Sequence, residues 1–498
     1  MQHKRKIGLG VTVLAAFFLA QCGPAATPAP PPQTIIQVQT QVVTAPPVVQ
    51  TQVQVQTQIV NQTQVVQNVV TATPAPASGD VTVLLVGAPD ADTTDPVTGA
   101  AIPGISHLHD AFEKAFPNIN MKLINIPFGS GSTSYTAKTE SMVEAQQACV
   151  YDMPGALDFG RRGYLENLDP WMKNDPTFQN VWAGSTLSQT RGWGPGNPDN
   201  QWGLPYVGGN RVIHYDATLF SQWGVDPLSL HPTLDEIMTK AAKMTGKNPV
   251  TGEQNYGYWF QGKYINWQFQ AIAHAEGASW GQVNANGTLT ITWNTPEYLK
   301  GLEWLVAAAK YAPPGALASD TMPDGFLTDK NVVAIIPEGE PGYYIPAFIA
   351  NPDLQKRFRT VYNLEGPDGR GGLVIADPVT MAASCQNKPA AWTVMKWLAG
   401  SPESQQYNFE SGGHLPVIAN AATLIPALGK LTDADPILNQ NGLAEPRYPW
   451  TGIEPRFDLQ TAIEGALAGT LTPQQALAQA QKQTDDFLAK QAAPAGSN

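Results

Sequence analysis

The sequence predicts an α/β protein with largely parallel sheets, set behind a long uncharged leader. Three observations predict it. From Asp80 onward, apolar runs of strand length alternate with segments of helical periodicity. Several of those segments open on well-marked helix starts. Composition also changes at Asp80: no charged residue occurs between Ile7 and Asp80, whereas the remainder reads as ordinary globular sequence.

The leader has two parts. Lys4, Arg5 and Lys6 precede an apolar run over residues 7–20. That run is too short to span a bilayer comfortably, so residues 1–21 read as a secretory signal peptide. No later stretch reaches the ~18 consecutive apolar residues of a membrane helix, which places the rest of the chain outside the cell. Leu19-Ala20-Gln21 before Cys22 resembles a bacterial lipobox, with Gln21 departing from the small residue usual at that point. Cys22 is therefore the expected lipidation site, and the membrane is expected to be met only through that anchor. Residues 22–79 are almost wholly Pro, Ala, Gln, Val and Thr, with proline clusters at both ends. Such a stretch buries too little apolar surface to offset its ordering entropy and is expected to be a disordered tether. Its stretch QTQVQVQTQIV alternates polar and β-branched residues without charge, so self-pairing into a stalk is the alternative to an extended spacer.

The elements of the globular part follow in order. VTVLLVGAP (residues 81–89) is a continuous apolar run closed by Gly and Pro, as a buried first strand is. ISHLHDAFEKAF places Ile105, Leu108, Phe112 and Phe116 on one helical stripe. MKLINIPF and CVYDMPG read as the second and third strands. Thr233-Leu-Asp-Glu236 is a capping box opening DEIMTKAAKM, which Gly246 stops. Asn294-Thr-Pro-Glu297 opens EYLKGLEWLVAAAK, Pro389 precedes AAWTVMKWLA, and Thr472-Pro-Gln-Gln475 opens the last helix. Trp304, Trp392 and Trp397 fall in these periodic helices and belong to the core or the helix surface. No composition break divides residues 80–498, so the expected lobes are built from interleaved segments.

Composition and motifs exclude several function classes. Lys plus Arg number 29 against 41 Asp plus Glu, a formal charge of −12, which argues against nucleic acid or an anionic membrane as partner. None of the seven His sits in an H-E-x-x-H pattern; His107 and His109 read as surface or capping residues without a third ligand. No phosphate-binding loop, nucleophile elbow or C-x-x-C occurs, so neither a metal nor a cofactor is expected. The stretch DADTTDP (residues 90–96) lacks the glycine and glutamate of a calcium loop and is expected to cap a helix or touch a ligand. A glycoside hydrolase stays open at this point, because its two carboxylates need not be close in sequence.

Ten segments, in order, resemble the extracellular solute-binding proteins of carbohydrate ABC importers, the group that includes maltose-binding protein. They begin with FEKAFPNINMKLINIPF and YLENLDP. They continue through GLPYVGGNRVIHYDATLFSQWGVDP, HPTLDEIMTKAAKMTG, EYLKGLEWLVAAAKYAPPGA, NVVAIIPEGEPGYY and NLEGPDGRGG. They end with NKPAAWTVMKWLAGSPESQQ, SGGHLPV and GALAGTLTPQQALAQAQ. The resemblance implies a hinged two-lobe fold of the type II periplasmic-binding-protein kind. Lobe 1 would comprise residues 80–205 and 372–424, and lobe 2 residues 206–371 and 425–498. It implies a monomer without chemistry of its own that captures a sugar or oligosaccharide and delivers it to a membrane permease. Other solutes, such as a polyamine or a polyol phosphate, are the alternatives within the fold. The family's ligand loops fall on Phe128, Tyr135, Asp158, Tyr206, Asn210, Trp259, Trp267, Glu340, Tyr343, Tyr344 and Trp450. Trp267, Tyr343 and Trp450 would be stacking platforms; Asp158, Asn210 and Glu340 would bind hydroxyls. With Cys22 lipidated, two thiols remain in an exported chain. In the family the segment ending at Cys385 returns antiparallel beside the third strand, which implies a Cys149–Cys385 disulfide.

Overall fold

The structure is a computed structural model. It describes residues 77–95, 99–127, 132–152, 156–175, 181–183, 186–194, 197–209, 211–284, 289–319, 322–339, 344–367, 376–412, 414–439 and 454–492. Residues 1–76 of the leader, including Cys22, and Phe128, Asn210, Glu340, Tyr343 and Trp450 lie outside the described residues; the expected tether ends sooner than residue 79, since Gly79 begins the first strand.

The principal strands are β1 (Gly79–Val86), β2 (Ile119–Ile126), β3 (Val150–Asp152), β4 (Gly203–Gly208), β5 (Val212–Asp216), β6 (Gly246–Lys247), β7 (Gln254–Tyr258), β8 (Val333–Gly339), β9 (Phe358–Val361) and β10 (Ala376–Met381). The longer helices are α1 (Ile105–Ala115), α2 (Ser132–Glu144), α3 (Leu234–Lys243), α4 (Ile265–Ala275), α5 (Pro296–Ala309), α6 (Lys388–Gly400), α7 (Pro402–Gly412), α8 (Glu454–Leu467) and α9 (Pro473–Ala492).

These strands form two five-stranded sheets, ordered β2-β1-β3-β10-β4 and β6-β7-β8-β5-β9. In the first, β1 runs parallel to β2 and β3, as the strand–helix alternation predicts. β10 arrives antiparallel to both β3 and β4. The second sheet departs from the expectation of largely parallel pairing: β7–β8 is parallel, but β5 runs antiparallel to β8 and β9. Alternation of strands and helices reports local crossovers. It does not report strands that enter a sheet from the other lobe, and β5 and β10 are such strands.

Each sheet has its own core. Val81, Val83, Leu85, Phe112, Met121, Val150, Val379, Met395 and Leu398 belong to the first. Ile213, Tyr258, Phe269, Trp293, Leu302, Ile335, Phe358, Ile463 and Leu477 belong to the second. The chain leaves the first sheet at Gly208 and enters the second at Val212. The handover therefore falls a few residues beyond the 205/206 boundary expected from sequence, because β4 is held to β10 through Gly208. Near the return, Leu415, Ile418 and Ala421 pack in the second core, while Val417 packs in the first and Leu415 and Ile418 bridge to Gly208 and Trp182.

Helix starts follow the sequence closely. The Thr233 side chain accepts from the Glu236 N–H at the start of α3. Glu236 does not return the bond to Thr233; its carboxylate takes the N–H and hydroxyl of Ser229 and the ammonium of Lys240. At α9 the box is reciprocal: Thr472 Oγ1 accepts from Gln475 N–H at 3.2 Å, and Gln475 Oε1 accepts from Thr472 N–H at 2.9 Å. Gln481 and Thr484 of α9 then bind the N–H groups of Trp293, at 2.7 and 3.0 Å, which fastens this helix to the second lobe. Trp392 and Trp397 are buried in the first core, and Trp304 packs against the second.

Cys149 and Cys385 are joined in a disulfide, with Cα atoms 4.9 Å apart. The antiparallel register of β10 on β3, with Met381 opposite Val150, brings the two together, and the Ala382 N–H bonds to the Cys149 carbonyl. The loop after β1 caps α1, one of the two roles expected of it. Asp92 accepts from the N–H of Gly104, the residue before the helix, at 2.8 Å and faces His107 Nε2 at 2.9 Å. Among the described residues no helix is long and apolar enough to cross a membrane.

Candidate functional site

β1 is flanked on one side by β2 and on the other by β3, so the connections leave in opposite directions at the carboxyl ends of β1 and β3. In open α/β sheets a ligand crevice forms at such a point. Here it does. Leu85, Val86, Gly87 and Ala88 at the end of β1 and Asp152 at the end of β3 line a cleft of about 530 Å³ that opens to solvent. Gly87 takes a φ of +76°, which lets the backbone turn away and form one wall. Tyr206 and Val207 of β4, Asp377 of β10, and Tyr407, Asn408, Ser411 and His414 from α7 and beyond complete it.

The register sets the two carboxylates on one face. Asp152 lies opposite Val379, and Asp377 is two residues from Val379 on the same strand. Asp152 is 6% exposed, and its Oδ2 accepts from the Val86 N–H at 3.2 Å. Burial, and then the nearby charge of Asp377, push the Asp152 carboxyl up to about 8, an effect that the Val86 N–H only partly offsets. Burial also raises the hydroxyl of Tyr206 well above its ordinary range, with Asp152 and Tyr407 adding to the shift, and raises Tyr407 to about 12. Both phenols are therefore neutral. Tyr206 is fixed through its carbonyl, which accepts from Gln405 Nε2 at 2.8 Å and Asn408 Nδ2 at 3.3 Å.

A second cleft, of about 320 Å³ with its solvent mouth, is lined by Arg211, Trp259, Gln261, Tyr264, Trp267, Gln268, Met322, Ile336 and Pro337. It lies at the carboxyl end of β7 and the start of α4. Gln268 Nε2 donates to Tyr258 Oη at 2.9 Å and to the Trp259 carbonyl at 3.2 Å, which fixes the amide. Its Oε1 and the indole N–H of Trp259 are buried without a hydrogen-bond partner. Buried polar atoms are nearly always paired, so the lining of this cleft holds one donor and one acceptor that the protein itself leaves unused. Val207 lines the first cleft and Arg211 the second. Four residues span at most about 14 Å, so the two clefts approach one another at the crossover between the sheets.

Of the residues singled out in the sequence, Tyr206 lines the first cleft, and Trp259 and Trp267 the second. Tyr135 lies on α2 and Asp158 on the short helix Ala156–Arg161 that follows β3. Tyr344 is not a cleft residue. It is 1% exposed, its hydroxyl bonds to His214 Nε2, and its ring packs edge-on to His214 at 4.3 Å within the second core. An aromatic in a tyrosine pair beside glycine reads as a loop platform, but the chain turns into a helix at Ile345 and draws Tyr344 inward. Asp377, Tyr407, Asn408 and Gln268 were not singled out. For Gln268 a signal existed, shared with Asn266, Gln270 and His274: these are polar residues in INWQFQAIAHA, a helix buried on almost every side. His109, Asp110 and Glu113 bring possible metal ligands within 4.8 Å of one another, on the surface of α1 and away from both clefts.

Residues 91–405 match the family model described as bacterial extracellular solute-binding protein. The chain belongs to this family. Solved structures agree on the fold. The sugar-binding protein MalE of Xanthomonas citri superposes with a TM-score of 0.64 at 18% identity, over 83% of this chain and 98% of that one. A solute-binding protein of Agrobacterium vitis S4 with bound D-mannitol gives 0.60 at 18%, over 84% and 100%. At such identities the likeness shows the architecture alone, the two-lobe type II periplasmic-binding-protein fold. A curated relative, the erythritol/L-threitol-binding protein of Mycolicibacterium smegmatis (strain ATCC 700084 / mc(2)155), is 27% identical over 108 residues. That stretch covers 20% of this solute-binding protein and only 21% of the relative. Members of this family bind solutes and are not enzymes.

Proposed function

We propose that this solute-binding protein captures a polyhydroxylated small molecule, a sugar or a polyol, and delivers it to the permease of an ABC importer. The observation that carries the reading is the pair of orphaned groups in the second cleft. A hydroxyl both donates and accepts, so one hydroxylated carbon chain satisfies the Trp259 N–H and the Gln268 oxygen together. Trp267 and Tyr264 offer the apolar faces that C–H groups need. The acids and amide of the first cleft, Asp152, Asp377 and Asn408, offer acceptors and donors for further hydroxyls. The mannitol complex and the tetritol-binding relative support the same class of ligand. In this reading the protein acts as a monomer, held at the outer face of the membrane by lipid on Cys22 with residues 22–79 as its tether.

A thermal-shift panel of sugars and linear polyols tests the ligand class, since a ligand that binds only the folded state raises the melting temperature. A shift of several degrees is expected from at least one compound, and hydrolysis of an oligosaccharide by the purified protein would contradict the reading. For the anchor, intact mass of membrane-extracted protein is expected to show an N-terminal Cys22 carrying acyl chains. An unmodified N-terminus would remove it.

A further inference from the structure

We propose that Gln405 sets solute affinity from outside both clefts, as a positioning residue that clamps together two of the chain's crossings between the lobes. The inference rests on the solute-capture reading and adds to it how the crossings are held.

One crossing leaves the first sheet at the end of β4; the other runs through residues 415–418. Gly208 and Leu415 exchange backbone hydrogen bonds at 2.9 and 2.8 Å. A Cβ at Gly208 would lie 2.7 Å from the Leu415 carbonyl oxygen, so this approach requires glycine. Leu415 packs in the second core and Val417 in the first, so the segment straddles the two. Gln405 of α7 is fully buried and joins both crossings through one amide. Its Nε2 donates to the carbonyl of Tyr206 at 2.8 Å and to that of Leu398, on α6, at 3.3 Å. Its Oε1 accepts from the Val417 N–H at 2.8 Å. Two carbonyls face the nitrogen and one N–H faces the oxygen. A carboxamide meets all three, whereas an ionised carboxylate meets only the N–H.

The amide lines neither cleft, yet it holds the wall of the first. Tyr206 and Val207 form that wall. Asn408, in the next turn of α7, lines the same cleft and adds a 3.3 Å bond to the Tyr206 carbonyl. A hinge works through a few residues that absorb the change in φ and ψ. With Tyr206 and Gly208 tied to Val417 and Leu415, the two crossings bend together and carry the cleft wall with them. Releasing the tie adds conformations in which wall and crossings no longer match the closed form. The fraction of molecules competent to bind then falls, and apparent affinity falls in proportion.

The test is titration calorimetry of the wild type, Gln405→Glu and Gln405→Met at about pH 5.5 and about pH 8.5, with the unliganded melting temperature of each. The probe is D-mannitol, or the compound of the sugar and polyol panel with the largest thermal shift where that is a different one. Affinities are read as ratios to the wild type at the same pH, because Asp152, Asp377, His414 and the phenols of the first cleft are common to all three proteins. Burial favours the neutral form of an introduced glutamic acid, so at the lower pH its O–H donates to Tyr206 while its carbonyl accepts from Val417, as the amide does. At the higher pH Gln405→Glu is expected to bind at least about fivefold more weakly than the wild type, equivalent to about 1 kcal/mol, and at the lower pH to recover to within about twofold. Gln405→Met cannot regain the bonds and should keep its full deficit at both; should it fail to fold, Gln405→Glu decides alone. Recovery of the melting temperature of Gln405→Glu at low pH, with wild-type affinity throughout, would make Gln405 a structural residue only. That result, or a deficit equal at the two pH values, would overturn the inference and leave solute capture standing. A wild type that binds nothing in the panel would overturn both.

Discussion

Two buried ionisable residues set how this protein responds to pH, and they act in opposite directions. An unfolded aspartate titrates near 3.9, whereas Asp152 in the fold is pushed up to about 8. Between roughly pH 4 and 8 the native state holds a proton that the unfolded chain has lost, so stability falls as pH rises through that window. His214 is lowered to about 3 by burial and stays neutral between Tyr344 and Thr360 Oγ1, the latter 2.9 Å from its Nδ1. Below about 6.5 the unfolded chain takes up a proton that His214 refuses, so this part of the stability is lost as pH falls towards 3. The two slopes cancel between about pH 4 and 6.5. Without ligand, the melting temperature should decline from pH 6.5 to 8, and Asp152→Asn should flatten that decline. An unaltered slope in the variant would place the titrating group elsewhere. At this scale the sequence was legible only in part. Trp259 and Trp267 were reached through the family's ligand loops, but Asp152 and Asp377 look like ordinary strand-end acids until the register sets them on one face.

Elements were far more legible, because caps and periodicity are local. Thr233, Thr295 and Thr472 each mark a helix start, and the side chain of each accepts from the N–H three residues on. Thr472→Ala breaks a reciprocal box at the start of α9 and is expected to cost about 1 kcal/mol. Thr233→Ala should cost less than the reciprocal case, since Glu236 already finds other partners. Chemical denaturation of the two variants separates them; equal losses would mean that the reciprocal bond adds nothing. The disulfide was legible only through the family's strand arrangement, because pairing across 236 residues is not a local signal. It lies at the start of β3, and Asp152 lies at the other end of that strand. Replacing both cysteines by serine should therefore cost about 2–5 kcal/mol of stability and leave solute affinity unchanged. A parallel loss of affinity would show that the bridge also sets the cleft.

At the scale of the molecule, two sheets with separate cores meet at the crossover between Gly208 and Val212, and a cleft lies on either side of it. The interleaving of segments was legible as the lack of any composition break; of the antiparallel strands that cross between lobes, β10 was legible only through the family's strand arrangement and β5 was not. A solute that touches both clefts favours the closed arrangement by the contacts it makes only there, and only that difference drives closure. The central claim, one solute held by both clefts, is tested by titration calorimetry of a single ligand from the panel against the wild type, Trp259→Phe and Asp377→Asn. Trp259→Phe keeps the ring and removes the orphaned N–H. It is a cleaner probe than Trp267→Ala, which would also empty part of the second core. Each variant is expected to lose about fivefold to fiftyfold in affinity, a hydrogen bond to a buried or charged group being worth about 1–2.5 kcal/mol, with little loss of unliganded stability. Loss at one cleft and none at the other would contradict the account, because it would place the whole ligand in a single lobe.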